Sequence, residues 1–228
     1  MTRGKCIRFV AVVLGMALVA GPASGALVDG PHSVAYNATT VPDAGTIVQL
    51  PQFDEATLGT LLSITLELDA TAFAGTITWD NESAIPTDVT LGIGAQVTAA
   101  APSSLTLVAT PLQTGNKDGV DPDNDAVADF IGTDSFSVTG GTGNDTDTDV
   151  LTNHADFAPY IGVGLFDVDI SSIVKTMILT SGGSGEDQHT AGQASGTVKV
   201  TYTYLPEPAT LALMGLGLAS VVTMKRRK

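Results

Sequence analysis

Cysteine is nearly absent from this chain of 228 residues, since the single one, Cys6, lies close to the N-terminus. A domain that excludes Cys6 has no disulfide and no thiolate metal site, so its stability must come from a packed core and hydrogen-bonded secondary structure. Cys6 also precedes the first apolar run instead of following it. That order argues against a lipoprotein cleavage site.

Basic residues are scarce between Leu27 and Leu205. This span holds three lysines against 23 acidic residues, and three minus 23 leaves a charge of −20, whereas the whole chain carries −14. A domain with this charge repels phosphate backbones, so the composition argues against nucleic-acid binding. Divalent cations and cationic surfaces are the partners that the charge favours.

Aromatic residues make up only 5% of the chain, and no long helical periodicity occurs. Polar and apolar residues instead alternate, and this period of two predicts strands with one buried face. We predict an all-β fold, an antiparallel β-sandwich of roughly nine strands, flanked by an N-terminal signal peptide and a C-terminal hydrophobic helix. The longest irregular region is expected at 113–134. The predicted strands are 46–50, 63–68, 75–79, 88–99, 105–110, 135–139, 161–170, 173–180 and 197–204.

The first 26 residues have the pattern of a secretion signal. Arg3, Lys5 and Arg8 form a basic region, an apolar run follows at 9–20, and small residues suited to signal peptidase come next. The run is short for a membrane span, which needs about 20 apolar residues. We therefore predict that 1–26 is a signal peptide removed by signal peptidase.

The C-terminus combines a Pro-Glu-Pro tripeptide, an apolar stretch at 209–224 and a terminal basic cluster. A helix over the apolar stretch would be about 24 Å long, close to the hydrocarbon core of roughly 30 Å, and the terminal cations favour the cytoplasmic side. We predict a transmembrane segment at 209–224 that initially tethers the exported domain, 27–205, to the membrane.

The same ordered features resemble a PEP-CTERM sorting signal. The residues that carry the resemblance, besides the apolar stretch, are Pro206, Glu207, Pro208, Lys225, Arg226, Arg227 and Lys228. The resemblance implies recognition by an exosortase, a multi-pass membrane cysteine protease or transpeptidase. It also implies delivery to the cell surface or to the extracellular polysaccharide of a biofilm matrix, in a Gram-negative-type bacterium.

The span 27–205 also resembles the choice-of-anchor E domain, a family of exported domains found beside varied C-terminal sorting signals. The resemblance implies an exported surface protein and supplies neither an activity nor site residues. An insertion at 116–125 departs from the family pattern, so the resemblance implies nothing about that loop. The resembling stretches are 50–54, 58–61, 81–83, 129–134 and 200–204.

One Asp-rich loop is the strongest candidate for a metal site. Asp121, Asp123 and Asp125 alternate, and Asp129 follows, as hard-oxygen ligands of Ca²⁺ often do. The loop lacks the glycine and the bidentate glutamate of an EF-hand. Two interpretations stay open, a calcium site and a solvated acidic loop, and the same two apply to the alternating aspartates within 145–149.

Trp79, the single tryptophan, is a candidate for stacking on a sugar ring, with ordinary packing as the alternative. No Gly-x-Ser-x-Gly elbow occurs, and the carboxylates are too numerous to single out a glycosidase pair. We predict a non-catalytic structural or adhesive surface protein. The first alternative is a carbohydrate-binding module, assisted by Ca²⁺, and the second is a secreted hydrolase.

Overall fold

The computed structural model describes residues 25–123 and 127–207. This part of the chain forms twelve strands, one short helix and two 3-10 turns. The strands are β1 (Leu27–Thr40), β2 (Asp43–Pro51), β3 (Thr60–Phe73), β4 (Thr76–Asn81), β5 (Thr87–Ala100), β6 (Thr106–Ala109), β7 (Leu112–Val120), β8 (Ser135–Thr139), β9 (Thr142–Leu151), β10 (Leu165–Thr180), β11 (Gly185–Thr190) and β12 (Gln193–Leu205). The helix α1 spans Glu55–Leu58, and the 3-10 turns span His154–Asp156 and Ala158–Tyr160.

The strands pair antiparallel in three sheets. The first sheet has the order β1-β12-β3-β9, the second β2-β10-β5-β6, and the third β11-β4-β8. β5 is long enough to pair with β7 along its first half and with β6 along its last residues. The predicted all-β, antiparallel character of the fold is confirmed.

The larger core is built from the first two sheets. Alternate residues of β3 and β12, such as Leu66, Leu68, Val198 and Val200, are fully buried and belong to one cluster with Leu50 of β2. The alternation follows from the pleat, which sends successive side chains to opposite faces. Each such side chain contributes about 1.5–3 kcal/mol when it leaves water, so this pattern largely determines which face of each strand turns inward.

A smaller core lies where the third sheet meets the second. Ile77 and Trp79 of β4 join Leu91 and Ile93 of β5 in this cluster. Partly buried Val174 of β10 packs against both cores. The long strands β5 and β10 thus carry apolar side chains into both clusters, and the third sheet covers the smaller cluster.

The number of strands in the described residues, twelve, exceeds the predicted nine. β1, β7, β9 and β11 were not predicted because their side chains are mostly polar or exposed, which removes the apolar alternation that identifies a strand. The expected irregular region at 113–134 is wrong in its first part, where β7 continues to Val120. The two strands predicted at 161–170 and 173–180 are largely one strand, β10.

Both predicted processing segments lie mainly outside the described residues. Of the predicted signal peptide only Gly25 and Ala26 are described, and the predicted transmembrane segment at 209–224 is not described at all. Within 25–123 and 127–207, no helix has the length and apolar character that crossing a bilayer requires. Of the predicted sorting residues, Pro206 and Glu207 are described, whereas Pro208, Lys225, Arg226, Arg227 and Lys228 are not.

Candidate functional site

The chain leaves the domain for its C-terminal tail through β12. This strand pairs with β1 on one side and β3 on the other. Its last residue, Leu205, lies opposite Thr60 of β3, and Pro206 and Glu207 follow directly. The first residues of the predicted sorting signal therefore continue a strand that is hydrogen-bonded on both sides.

A cluster of aromatic rings holds this end of β12 in place. The buried ring of Phe53 lies 5.3 Å from the ring centroids of Tyr202 and of Tyr204. The Tyr202 hydroxyl donates a hydrogen bond of 2.7 Å to the carbonyl oxygen of Pro51. Burial raises the pKa of Tyr202, so the hydroxyl keeps its proton and remains a donor. Aromatic pairs of this kind contribute about 0.5–1.5 kcal/mol beyond their buried area.

The tail passes directly over Gly59, the residue that follows α1. Its φ angle is 122°, and its N–H donates a hydrogen bond of 3.1 Å to the carbonyl oxygen of Glu55. A β-carbon built there would lie 2.2 Å from the Leu205 carbonyl oxygen and 2.8 Å from the Glu207 nitrogen. Glycine is required because both the backbone angle and the passing chain exclude a side chain.

A surface groove of about 540 Å³ opens beside this junction. One wall belongs to the start of α1, the opposite wall to 161–163, and Glu207 lies at the tail end. Phe53 joins the walls, because its N–H donates to Tyr160 and its carbonyl accepts from Gly162. The lining residues are Asp54, Glu55, Ala56, Ile161, Gly162, Val163 and Glu207. The groove thus combines three carboxylates with an apolar wall whose Val163 is 88% exposed.

The predicted calcium ligands lie along one segment between β7 and β8, and Asp125 falls outside the described residues. The backbone N–H of Asp121 donates to Thr133, and that of Asp123 donates to Ser83. Oδ1 of Asp129 accepts from its own turn. Across 25–123 and 127–207, no group of three or more His, Cys, Asp or Glu side chains could hold a metal ion. Calcium binding therefore stays a prediction.

Two buried side chains at the end of β4 hold this segment, and sequence reasoning missed both. Asn81, only 1% exposed, donates from Nδ2 to the carbonyl oxygens of Ile85 at 2.9 Å and Asp121 at 2.8 Å. Asp80 accepts at Oδ2 from the backbone N–H of Phe130 at 3.0 Å. The signal in the sequence was Asn-x-Ser at the end of a strand, since the Ser83 hydroxyl donates a hydrogen bond of 2.6 Å to Oδ1 of Asn81.

Trp79 lies in the smaller core and is 2% exposed. Gly185 of the neighbouring strand β11 makes room for the indole, because a β-carbon at Gly185 would lie 2.3 Å from the Cε2 atom of Trp79. The ring has no free face for a sugar. In this conformation Trp79 packs the third sheet against β5 instead of forming a binding platform.

The acidic strand β9 closes the free edge of β6. Oδ2 of Asp147 accepts from the backbone N–H of Val108 at 2.7 Å, and Oδ2 of Asp145 accepts from that of Thr110 at 2.6 Å. The other edge of β6 pairs with β5. These carboxylates satisfy donors that an open sheet edge would present to another chain. Among the described residues, Asp149 accepts only from the adjacent Val150 N–H.

Lys199 lies at the centre of the outer face of the first sheet. Its Nζ atom lies 2.6 Å from Oε1 of Glu67 and 2.5 Å from Oδ2 of Asp69. The hydrogen bond from Lys199 lowers the pKa of Asp69, and the two carboxylates raise the pKa of Lys199. All three side chains are about one-third exposed, so solvent screens the interaction and the group stabilises the sheet only modestly.

The C-terminal residues 205–228 match the family model described as the PEP-CTERM protein-sorting motif. No curated protein matches the chain. A solved structure of the infectious bursal disease virus Gx strain is 10% identical over 90% of this chain and 48% of its own, with a TM-score of 0.20. The Gt strain structure is 12% identical over 87% and 41%, with a TM-score of 0.15. The chain thus spans less than half the length of these viral chains.

Proposed function

We propose that this chain, which its PEP-CTERM motif marks as exported and sorted to the cell envelope by an exosortase, serves there as a non-catalytic structural or adhesive component. The observation that carries the proposal is the place where the motif joins the domain. A pull on the tail, or on the C-terminus that processing leaves behind, is transmitted to β12, which is 13 residues long and paired on both sides. The hydrogen bonds of β12 to β1 and to β3 then resist the pulling force together, which an anchored surface domain requires.

The outer face of the first sheet supports the adhesive part of the proposal. The residues that flank Lys199 on this face are mostly hydroxyl or amide side chains, which suit the hydroxyl groups of a polysaccharide. The central charges are already paired with one another, so an uncharged or weakly cationic polymer fits the face better than an anionic one. These residues are Thr65, Thr71, Asn144, Thr146, Thr148, Thr197 and Thr201.

The proposal includes the route to the surface. The signal peptide at 1–26 is removed by signal peptidase, the segment at 209–224 holds the chain in the membrane, and exosortase processing releases that tether. β1 begins at Leu27, directly after the proposed signal peptide, and β12 ends at Leu205, where the motif begins. We also propose that the two facing sheets form an antiparallel β-sandwich, in keeping with the resemblance to choice-of-anchor E domains.

A second candidate function is calcium-assisted polysaccharide binding through the segment that carries Asp121, Asp123 and Asp129. One observation favours it: Asn81 holds the backbone at Asp121 and Asp80 holds it at Phe130, next to Asp129, so the carboxylates of Asp121 and Asp129 start from fixed backbone positions. Preorganisation lowers the entropy cost of binding an ion. This candidate differs from the first in requiring Ca²⁺.

The test of the proposed function compares the full chain with a variant in which Pro206, Glu207 and Pro208 are all alanine, both expressed in the source bacterium. We expect the wild-type chain on the surface or in the matrix, and the variant unprocessed in the membrane. Equal distribution of the two would overturn sorting by the motif. The processed wild-type protein is then mixed with extracellular polysaccharide, with and without a calcium chelator. Binding that survives chelation supports adhesion without Ca²⁺, and binding lost on chelation supports the second candidate.

A further inference from the structure

We propose that the exosortase docks on the folded domain as well as on the tail, in the groove between α1 and 161–163. This inference rests on the proposed function, because it concerns the same processing event. The matched motif covers residues 205–228 only, and the inference adds a surface of the folded domain to what the enzyme recognises. The occupant is a surface of the enzyme that combines apolar and cationic groups.

The groove and the sorting motif share a residue. Glu207 belongs to the matched motif and also lines the groove with Asp54 and Val163. An enzyme that contacts Glu207 therefore lies at the mouth of the groove. The groove continues the interface that the motif itself defines.

The domain also limits how far the motif can move away. Leu205 is paired with Thr60, and the tail passes so close to Gly59 that no side chain fits between them. Three extended residues span at most about 10 Å, so Pro208 stays within roughly that distance of the last paired residue. An enzyme acting on the tripeptide is thus brought against the domain surface.

The chemistry of the groove indicates what it contacts. Val163 is 88% exposed beside Ile161 and Ala56, an apolar area that a partner would bury. Both carboxylates have a hydrogen-bond donor nearby: Asp54 accepts from the Thr57 hydroxyl at 2.6 Å, and Glu55 accepts from the Leu61 N–H of β3 at 3.5 Å. Carboxylates beside an exposed valine suit a partner with basic side chains around an apolar contact.

The test measures how fast the full chain is processed in the source bacterium, by pulse-chase and immunoblot. The variants are V163D, which places a charge on the apolar wall, and the charge-reversed pair D54K and E55K. The matched control is L179D, because Leu179 is also exposed, at 60%, and lies at the far end of β10, about 45 Å along the strand. We expect processing of the groove variants to slow by about threefold to tenfold, which is the effect of losing an interface residue that contributes moderately to binding. L179D should process at the wild-type rate.

Two results would overturn the docking surface. One is wild-type processing of V163D and of the charge-reversed pair. The other is equal slowing of V163D and L179D, which would indicate a general export defect. The variant with alanine at 206–208 separates this inference from the proposed function: if that variant is processed normally, sorting by the motif fails, whatever the groove variants do.

Discussion

Replacing Asp145 and Asp147 together with alanine removes the acceptors that β9 offers to the free edge of β6. Three hydrogen bonds to this edge are lost, from Val108 N–H at 2.7 Å, from Thr110 N–H at 2.6 Å and from the Thr110 hydroxyl at 3.3 Å. A fourth, from the adjacent Thr148 N–H to Asp147 at 2.9 Å, is lost as well, and it is of the same local kind as the one that D149A removes. Hydrogen bonds to charged acceptors contribute about 1.5–3 kcal/mol when buried. Because these sites are partly exposed and water replaces the lost acceptors, we expect about 1 kcal/mol for each aspartate and about 2 kcal/mol for the pair.

Relief of charge repulsion works in the opposite direction but is smaller. Alternate residues on one face of a strand lie about 7 Å apart, where two charges in water repel by roughly 0.6 kcal/mol before salt screening. The double substitution removes such repulsion from a domain of charge −20, three lysines against 23 acids. The expected net change is therefore still destabilising, by about 1.5–2 kcal/mol.

The assay is thermal unfolding of the purified chain, in which the double variant should melt about 3–8 °C below the wild type, given a shift of about 2–4 °C per kcal/mol for a domain of this size. D149A is the matched control, because Asp149 lies on the same strand and, within the part of the chain that the structure describes, accepts a hydrogen bond from Val150 alone. It should change the free energy of unfolding by less than about 0.5 kcal/mol.

An isosteric pair of variants separates the hydrogen bond from the charge. D145N and D147N keep an oxygen that can accept from Val108 and Thr110, so the loss should be about half that of the alanine pair. The capping role would be refuted if the alanine pair melts with the wild type. It would equally be refuted if D149A costs as much as the pair, since that would indicate a general effect of removing charge.

Three further predictions follow from the junction, the outer face and the β4 end. Gly59→Ala should loosen the tail, because a β-carbon would overlap the Leu205 carbonyl, and limited proteolysis after β12 should quicken several-fold. The pKa of Asp69 is lowered below its ordinary value of 3.8, so the ionised carboxylate stabilises the fold above that pH, and this stabilisation is lost as the pH falls through the lower pKa of the folded state. Lys199→Met removes the main cause of the lowered pKa. The free energy of unfolding of this variant, measured in urea, should therefore change less with pH in the acidic range than that of the wild type. Asn81→Ala removes the donor to three carbonyl groups and should cost about 2–4 kcal/mol, with faster protease cleavage within 121–134 as the readout.

Strands with one apolar face could be predicted from the sequence, because period-two burial leaves a direct trace in it. The strand predicted at 135–139 is β8, and that at 88–99 differs from β5 by one residue at each end. β9 could not be predicted in this way. Its alternating aspartates indicate a metal cluster or a solvated loop until the fold brings β6 beside them, and the turn residues before them hide where the strand begins.

Of the candidate site, only the sorting motif could be predicted from the sequence, whereas the groove beside it could not. Pro206 and Glu207 belong to a motif that is continuous in sequence, so its resemblance to a known sorting signal could be seen without the fold. The groove depends on the contact of Phe53 with Ile161, which are far apart in the chain. For Trp79 the sequence left sugar stacking and ordinary packing open, and the choice depends on the third sheet, which covers the ring while Gly185 supplies the space.

The domain and its sorting signal meet at a single residue, which couples folding to sorting. Leu205 ends β12 and begins the matched motif. β12 lies between β1 and β3, with Leu27 opposite Tyr204, so the first sheet closes only when the last strand of the domain has been inserted. Such long-range pairing forms late, because the loop entropy must be overcome before the contact stabilises anything. Until it forms, Leu205 and Glu207 are not held against Gly59, and the groove beside the motif lacks its tail wall. An exosortase that contacts this groove would therefore act preferentially on chains whose domain has already folded.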